Sequence, residues 1–199
     1  MNVISKLRAQ SGIVVALMAV IALVGCSRSP DAEQPAQGSV QQQKTVAEAP
    51  EMSGALTQDQ AGARYAIASD PVIVQNGALL RTVVSVTNLG KVMISSTGKL
   101  PVNLAISLAD RDGAVLQQDF VRASLPTGGI AAGSTAEVTV EVPTQAVLGK
   151  VMRFGLVQES VAWYSDFKIE PIDYGPITAC QDQGKQAVCG AGGKPLATR

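Results

Sequence analysis

The sequence predicts an all-β protein built as an antiparallel β-sandwich, and three observations lead there. From about residue 63 to residue 177, apolar and polar residues alternate with a period of two, the pattern of strands with one face buried and one wet. The alternating runs are short and are separated by breaks rich in Gly, Asn and Asp, which is turn chemistry. No part of this region sustains the 3.6-residue apolar stripe of a helix.

The chain opens in a different style. Met1–Gly25 carries Lys6 and Arg8, no acidic residue, and an unbroken apolar run of twelve residues from Ile13 to Val24. A membrane-spanning helix needs about 20 such residues, whereas the core of a secretory signal needs about 7–15. Residues 1–25 are therefore expected to be a signal peptide. The tetrapeptide Leu23-Val24-Gly25-Cys26 resembles the lipobox of bacterial lipoproteins, where the cysteine thiol takes up diacylglycerol and becomes the new N-terminus. The resemblance implies lipidation at Cys26. Ser27 is not the aspartate associated with inner-membrane retention in that family, so the implied address is the outer membrane, with the folded part on its periplasmic side. One acyl chain gives only reversible attachment, at about 0.8 kcal/mol per buried methylene, and a mature lipoprotein carries more than one.

Residues 26–62 are read as a lipidated, disordered tether. Ser27–Gln60 is rich in Gln, Ser, Ala and Pro and has no aromatic residue, so it lacks the apolar area to offset its ordering entropy. A random coil of this length spans on the order of 30–35 Å, enough to stand a domain off a membrane.

Residues 63–177 carry the strands. Tyr65–Val74 is an opening strand, and Leu80–Asn88 is a second β-rich run. Val102, Leu104, Ile106 and Leu108 share one face, as do Val138, Val140 and Val142, and as do Met152, Phe154 and Leu156. Turns are expected at Asn88-Leu89-Gly90, Asp110–Gly113, Thr127-Gly128-Gly129 and Ala132-Gly133-Ser134. Six to eight short strands over about 110 residues are the signature of an immunoglobulin-like sandwich. Pro101–Gly113, Leu125-Pro126, Ile130–Gly133 and Arg153–Tyr164 resemble immunoglobulin-like modules found beside bacterial glycosyltransferases and methyltransferases. They are also similar to the C-terminal domains of some polysaccharide ABC transporters. The resemblance covers roughly residues 80–168. This chain has Ser160 where those modules usually carry Gly and Tyr164 where they carry Phe. It implies a carbohydrate-associated, non-catalytic domain.

The tail, residues 178–199, holds Cys180 and Cys189 in CQDQGKQAVC. With Cys26 assigned to lipid, these two are expected to pair, because the periplasm is oxidising and the segment around Gly184 can turn. The spacing is too wide for a redox dithiol motif, and the last ten residues read as a frayed end.

Composition excludes several activities. The chain has no histidine and 16 basic against 16 acidic side chains, so histidine-dependent triads and imidazole metal sites are absent and nothing marks a nucleic-acid partner. Neither a cofactor nor a metal is expected. Asp110-Arg111-Asp112-Gly113 lacks the further oxygen ligands of a calcium loop and reads as a turn. Five of the seven aromatics fall between Phe154 and Tyr174, interspersed with Glu159, Asp166, Glu170 and Asp173. Phe154 and Trp163 are expected in the core, leaving Tyr164 and Asp166 as exposed ligand contacts. The expectation is a non-catalytic envelope lipoprotein whose sandwich mediates interaction or assembly with an envelope protein. The alternative is a carbohydrate-binding module for surface polysaccharide or peptidoglycan. A hydrolase is the least favoured reading, because nothing places two carboxylates across a cleft.

Overall fold

The structure, a computed structural model, describes residues 50–199. The signal segment, Cys26 and the tether as far as residue 49 lie outside the described residues.

Alternation produces the strands expected of it. In β2 (Leu79–Asn88) Leu80, Val84 and Val86 are buried, while Arg81 points to solvent. In β5 (Thr135–Pro143) Val138, Val140 and Val142 are buried, with Glu137, Thr139 and Glu141 exposed. β1 (Ala63–Val74) pairs antiparallel with β2, and β2 with β5. The second sheet is built on β3 (Val102–Ala109) and β6 (Val151–Gln158), an antiparallel pair, with β4 (Val115–Ser124) on the far side of β3. Two short strands, β7 (Ala162–Trp163) and β8 (Ile172–Tyr174), share the other edge of β6. A hairpin of β9 (Thr178–Asp182) and β10 (Lys185–Cys189) follows, and β11 (Ala197–Thr198) closes the chain beside β1 in the one parallel pairing between the named strands. The sheet orders are thus β11-β1-β2-β5 and β4-β3-β6-β7.

The two inner faces meet in one core. Leu80, Val84, Val138 and Val140 from the first sheet join Leu104, Ile106, Phe154 and Leu156 from the second. Each such side chain contributes about 1.5–3 kcal/mol on leaving water. The all-β sandwich architecture is therefore the one read from the alternation. Phe154 is fully buried, as expected. The Asp110–Gly113 turn also forms as expected, with Asp110 Oδ1 accepting the N–H groups of Asp112 and Ala114 at 3.0 and 2.8 Å. A carboxylate used this way shapes a hairpin.

Two boundaries and one strand differ from the sequence reading. The tether does not run to residue 62, because Met52 and Leu56 are buried in the core. Met52 exchanges backbone hydrogen bonds with Thr97 and Leu100. Buried Gln158 fastens the same segment: its Oε1 accepts from Leu56 N at 2.7 Å, and its Nε2 donates to Gly54 O and Leu100 O at 2.9 and 3.0 Å. Two isolated apolar residues suffice where a buried amide satisfies the backbone beside them, a pattern invisible to composition. β4 adds a strand that alternation does not announce, since its first half is exposed on every residue. The final residues are not a frayed end: Leu196 packs on the core, and Arg199 N donates to Ile73 O at 2.8 Å.

Candidate functional site

The site is built on the outer face of the second sheet. Alternation puts Ala105, Ser107, Arg153, Gly155 and Val157 on that face, opposite the core residues of β3 and β6. A half-wet face would expose them, yet Ala105, Ser107 and Val157 are buried. The segment from Ala162 to Tyr174 covers them.

This covering segment is shaped by local chemistry. β7 ends after two residues, and Tyr164–Phe167 form a single 3₁₀ turn. Asp166 Oδ2 accepts the Trp163 N–H at 2.9 Å, which ties the turn to the strand before it. Lys168 takes a left-handed conformation (φ 62°) and reverses the chain. The return strand β8 then pairs with β6, setting Asp173 directly opposite Arg153. Between the pairings of β7 and β8 the edge of β6 is free of strand at Gly155 and Leu156. Leu156 N donates instead to Tyr65 Oη at 3.0 Å, a hydroxyl that reaches over from β1.

The gap holds a cleft of about 420 Å³. Gly155 and Ser107 of the sheet's outer face contribute the floor; Arg153 from the same face, Trp163, Ser165, Glu170 and Asp173, and Val115 and Gln118 of β4 also line the cleft. Arg153 is held by Asp173 through both oxygens, Nε to Oδ1 and Nη2 to Oδ2 at 2.8 Å each, while Nη1 reaches Gly113 O at 3.3 Å. That bidentate contact raises the guanidinium pKa above its ordinary value. Trp163 is braced by a cation from β4. The Arg122 guanidinium lies 4.7 Å from its ring centroid. Arg122 in turn binds Glu159 at 3.1 Å and Asp119 at 2.8 Å, and Asn103 Nδ2 donates to the same Glu159 oxygen at 2.8 Å.

The expected ligand contacts are rearranged by this geometry. Tyr164 is not exposed: it is 1% accessible, packs edge-on to Phe167 with ring centroids 6.1 Å apart, and its burial raises the hydroxyl pKa. Trp163 is not a core plug. Across β7 it stands opposite Val157, an outer-face residue, so it shares the outer face and Tyr164 turns inward. The parity is the reverse of the expectation because a two-residue strand has no alternation of its own, and only its partner on β6 sets it. Asp166 is exposed as expected, but its carboxylate is engaged as a cap. Arg153, Gly155, Ser107 and Gln118 were missed. The outward parity of Arg153 and Gly155 beside Phe154 was the available signal.

Cys180 and Cys189 form the expected disulfide, with Cα atoms 5.9 Å apart, across the β9–β10 hairpin. Among the described residues, no group of three or more His, Cys, Asp or Glu is arranged to hold a metal ion. No helix among them is long and apolar enough to cross a membrane. Comparison with protein families, with curated proteins and with solved structures gave no match.

Proposed function

We propose that this chain is a lipid-anchored cell-envelope protein, held at the outer membrane through Cys26, whose sandwich is a non-catalytic binding module facing the periplasm. The strand order β1-β2-β5 opposite β4-β3-β6-β7 supports assigning that sandwich to the immunoglobulin-like class. The ligand the cleft favours is a glycan, from surface polysaccharide or peptidoglycan. One observation carries this reading: a partly exposed tryptophan stands in a cleft beside two carboxylates, an arginine and two serine hydroxyls. An indole face packs against sugar C–H groups, while the polar rim exchanges hydrogen bonds with hydroxyls. Hydrolysis is disfavoured, because Asp173 is committed to Arg153 and, among the described residues, Glu170 has no second free carboxylate beside it in the cleft.

A protein partner is the second reading. β4 is an edge strand whose first residues, Val115 and Leu116, are 51% and 56% exposed, and an uncovered apolar edge is a template for strand addition.

Trp163 is the only tryptophan, so intrinsic fluorescence reports the cleft directly. Glycan-array binding accompanied by a fluorescence change, and lost in Trp163→Ala, is the expected result. A blank array together with crosslinking of a protein through Leu116 would transfer the function to the β4 edge. For the anchor, labelled palmitate should enter the wild type and not Cys26→Ser; labelling of that variant would remove the assignment.

A further inference from the structure

The charges of the cleft do not balance. Arg153, its single cation among the described residues, places Nε, Nη1 and Nη2 on Asp173 and Gly113, so its charge is neutralised and its donors are largely spent. Glu170 lines the same cleft, is exposed, and has no ion pair among the described residues. One negative charge is thus left over beside an aromatic ring. Arg122 lies 4.7 Å from the Trp163 ring centroid and is not among the residues that line the cleft. An acidic sugar or a phosphate entering the cleft would meet Glu170 without a free cation to receive it, which costs affinity. A protonated amine would meet a carboxylate and an aromatic ring, the two groups that best receive an ammonium.

We propose that the cleft selects a saccharide bearing a free, protonated amine, recognised by Glu170 with the Trp163 ring as the stacking surface. The neutral hydroxyls of the same sugar fall to Ser107, Ser165 and Gln118, which line the cleft around it. This selection rests on the glycan reading above and adds the charge class of the ligand to it.

The test uses the full lipidated chain in detergent micelles and follows Trp163 fluorescence and calorimetric heat. The probes are a β-1,4-linked glucosamine trimer, its fully N-acetylated counterpart, a galacturonic acid trimer and tri-lysine. The amine trimer should bind about tenfold tighter than the acetylated one, the scale of a combined cation–π and carboxylate contact. The acidic trimer should bind weakest. Glu170→Gln should bring the amine and acetylated trimers to equal affinity, and Glu170→Lys should turn the preference toward the acidic trimer. If the wild type binds all three sugars equally, or prefers the acidic one, or if Glu170→Gln leaves the amine preference intact, the charge selection is wrong and the glycan reading survives. Tri-lysine binding as tightly as the amine trimer would mean that the amine alone is read, overturning the saccharide assignment. Binding of none of the probes would overturn both.

Discussion

The two faces of β6 are made from adjacent residues of one strand, and they do opposite work. Inward, Met152, Phe154 and Leu156 are buried among apolar side chains from both sheets. Outward, Arg153 and Gly155 are partly accessible and border the cleft. The inner face is closed by a second sheet, and the outer one only by a short irregular segment pinned at Trp163 and Asp173. Sheet against sheet fills space completely. A two-residue strand, a 3₁₀ turn and a three-residue strand leave a hollow where their pairing lapses. The fold is therefore carried by one parity of β6 and the binding surface by the other, and perturbing each should have separable consequences.

The largest effect should come from the inner face. Phe154→Ala empties a fully buried aromatic position and is expected to cost about 3–5 kcal/mol, read as a lower urea midpoint. Trp163→Ala, at a half-buried position on the outer face, should cost less, about 1–2 kcal/mol, while abolishing ligand binding. Equal destabilisation by the two would erase the distinction between the faces.

Next in size is the polar fastening at the end of β6. Gln158→Ala leaves Leu56 N and Leu100 O without their partner and should cost about 2–3 kcal/mol. Hydrogen exchange should show residues 52–58 opening before the strands do. If these amides stay protected, Met52 and Leu56 hold the segment by packing alone. The staple in the tail should weigh about the same: replacing Cys180 and Cys189 together with Ser should lower stability by about 2–3 kcal/mol on the loop-entropy model. Sugar binding should be unchanged, since neither cysteine lines the cleft.

Alkali probes the inner face without a mutation. Burial raises the pKa of Tyr65 and Tyr164 above the ordinary tyrosine value. Below about pH 10 both phenols are protonated, folded or unfolded, and stability does not depend on them. Above it the unfolded chain ionises first and the native state retains more protons, so stability falls as pH rises, by up to about 1.4 kcal/mol per unit for each tyrosine. Urea midpoints at pH 8 and pH 11 measure this, and Tyr164→Phe should shrink the difference. The smallest stability effect belongs to the cleft floor. A methyl group at Gly155 would meet only Pro171 Cβ, at 3.5 Å, so Gly155→Ala should change stability by about 0.5 kcal/mol or less. It narrows the cleft, and a weaker sugar titration with an unchanged urea midpoint is the expected pair of results.

Long strands were legible because their signal is local. Leu104, Ile106 and Leu108 face the core for the same reason they stand two apart, and the Asp110–Gly113 turn follows from a carboxylate capping its own backbone. The site was legible only in outline. The crowding of aromatics and carboxylates between residues 154 and 174 marked the right segment, yet Tyr164 and Trp163 exchanged places between surface and interior. Strands of two and three residues carry no periodicity from which to infer a side-chain direction.

From its own residues the chain determined the all-β class, most of the core, the turns and the pairing of Cys180 with Cys189. Each depends on neighbours within a few positions or on a simple count. The tertiary structure alone decided that Met52 and Leu56 join the core, that Trp163 looks outward, and that Arg153 is neutralised by a residue twenty positions away. Those outcomes depend on register between strands distant in sequence, and register is fixed by the packing of the whole molecule.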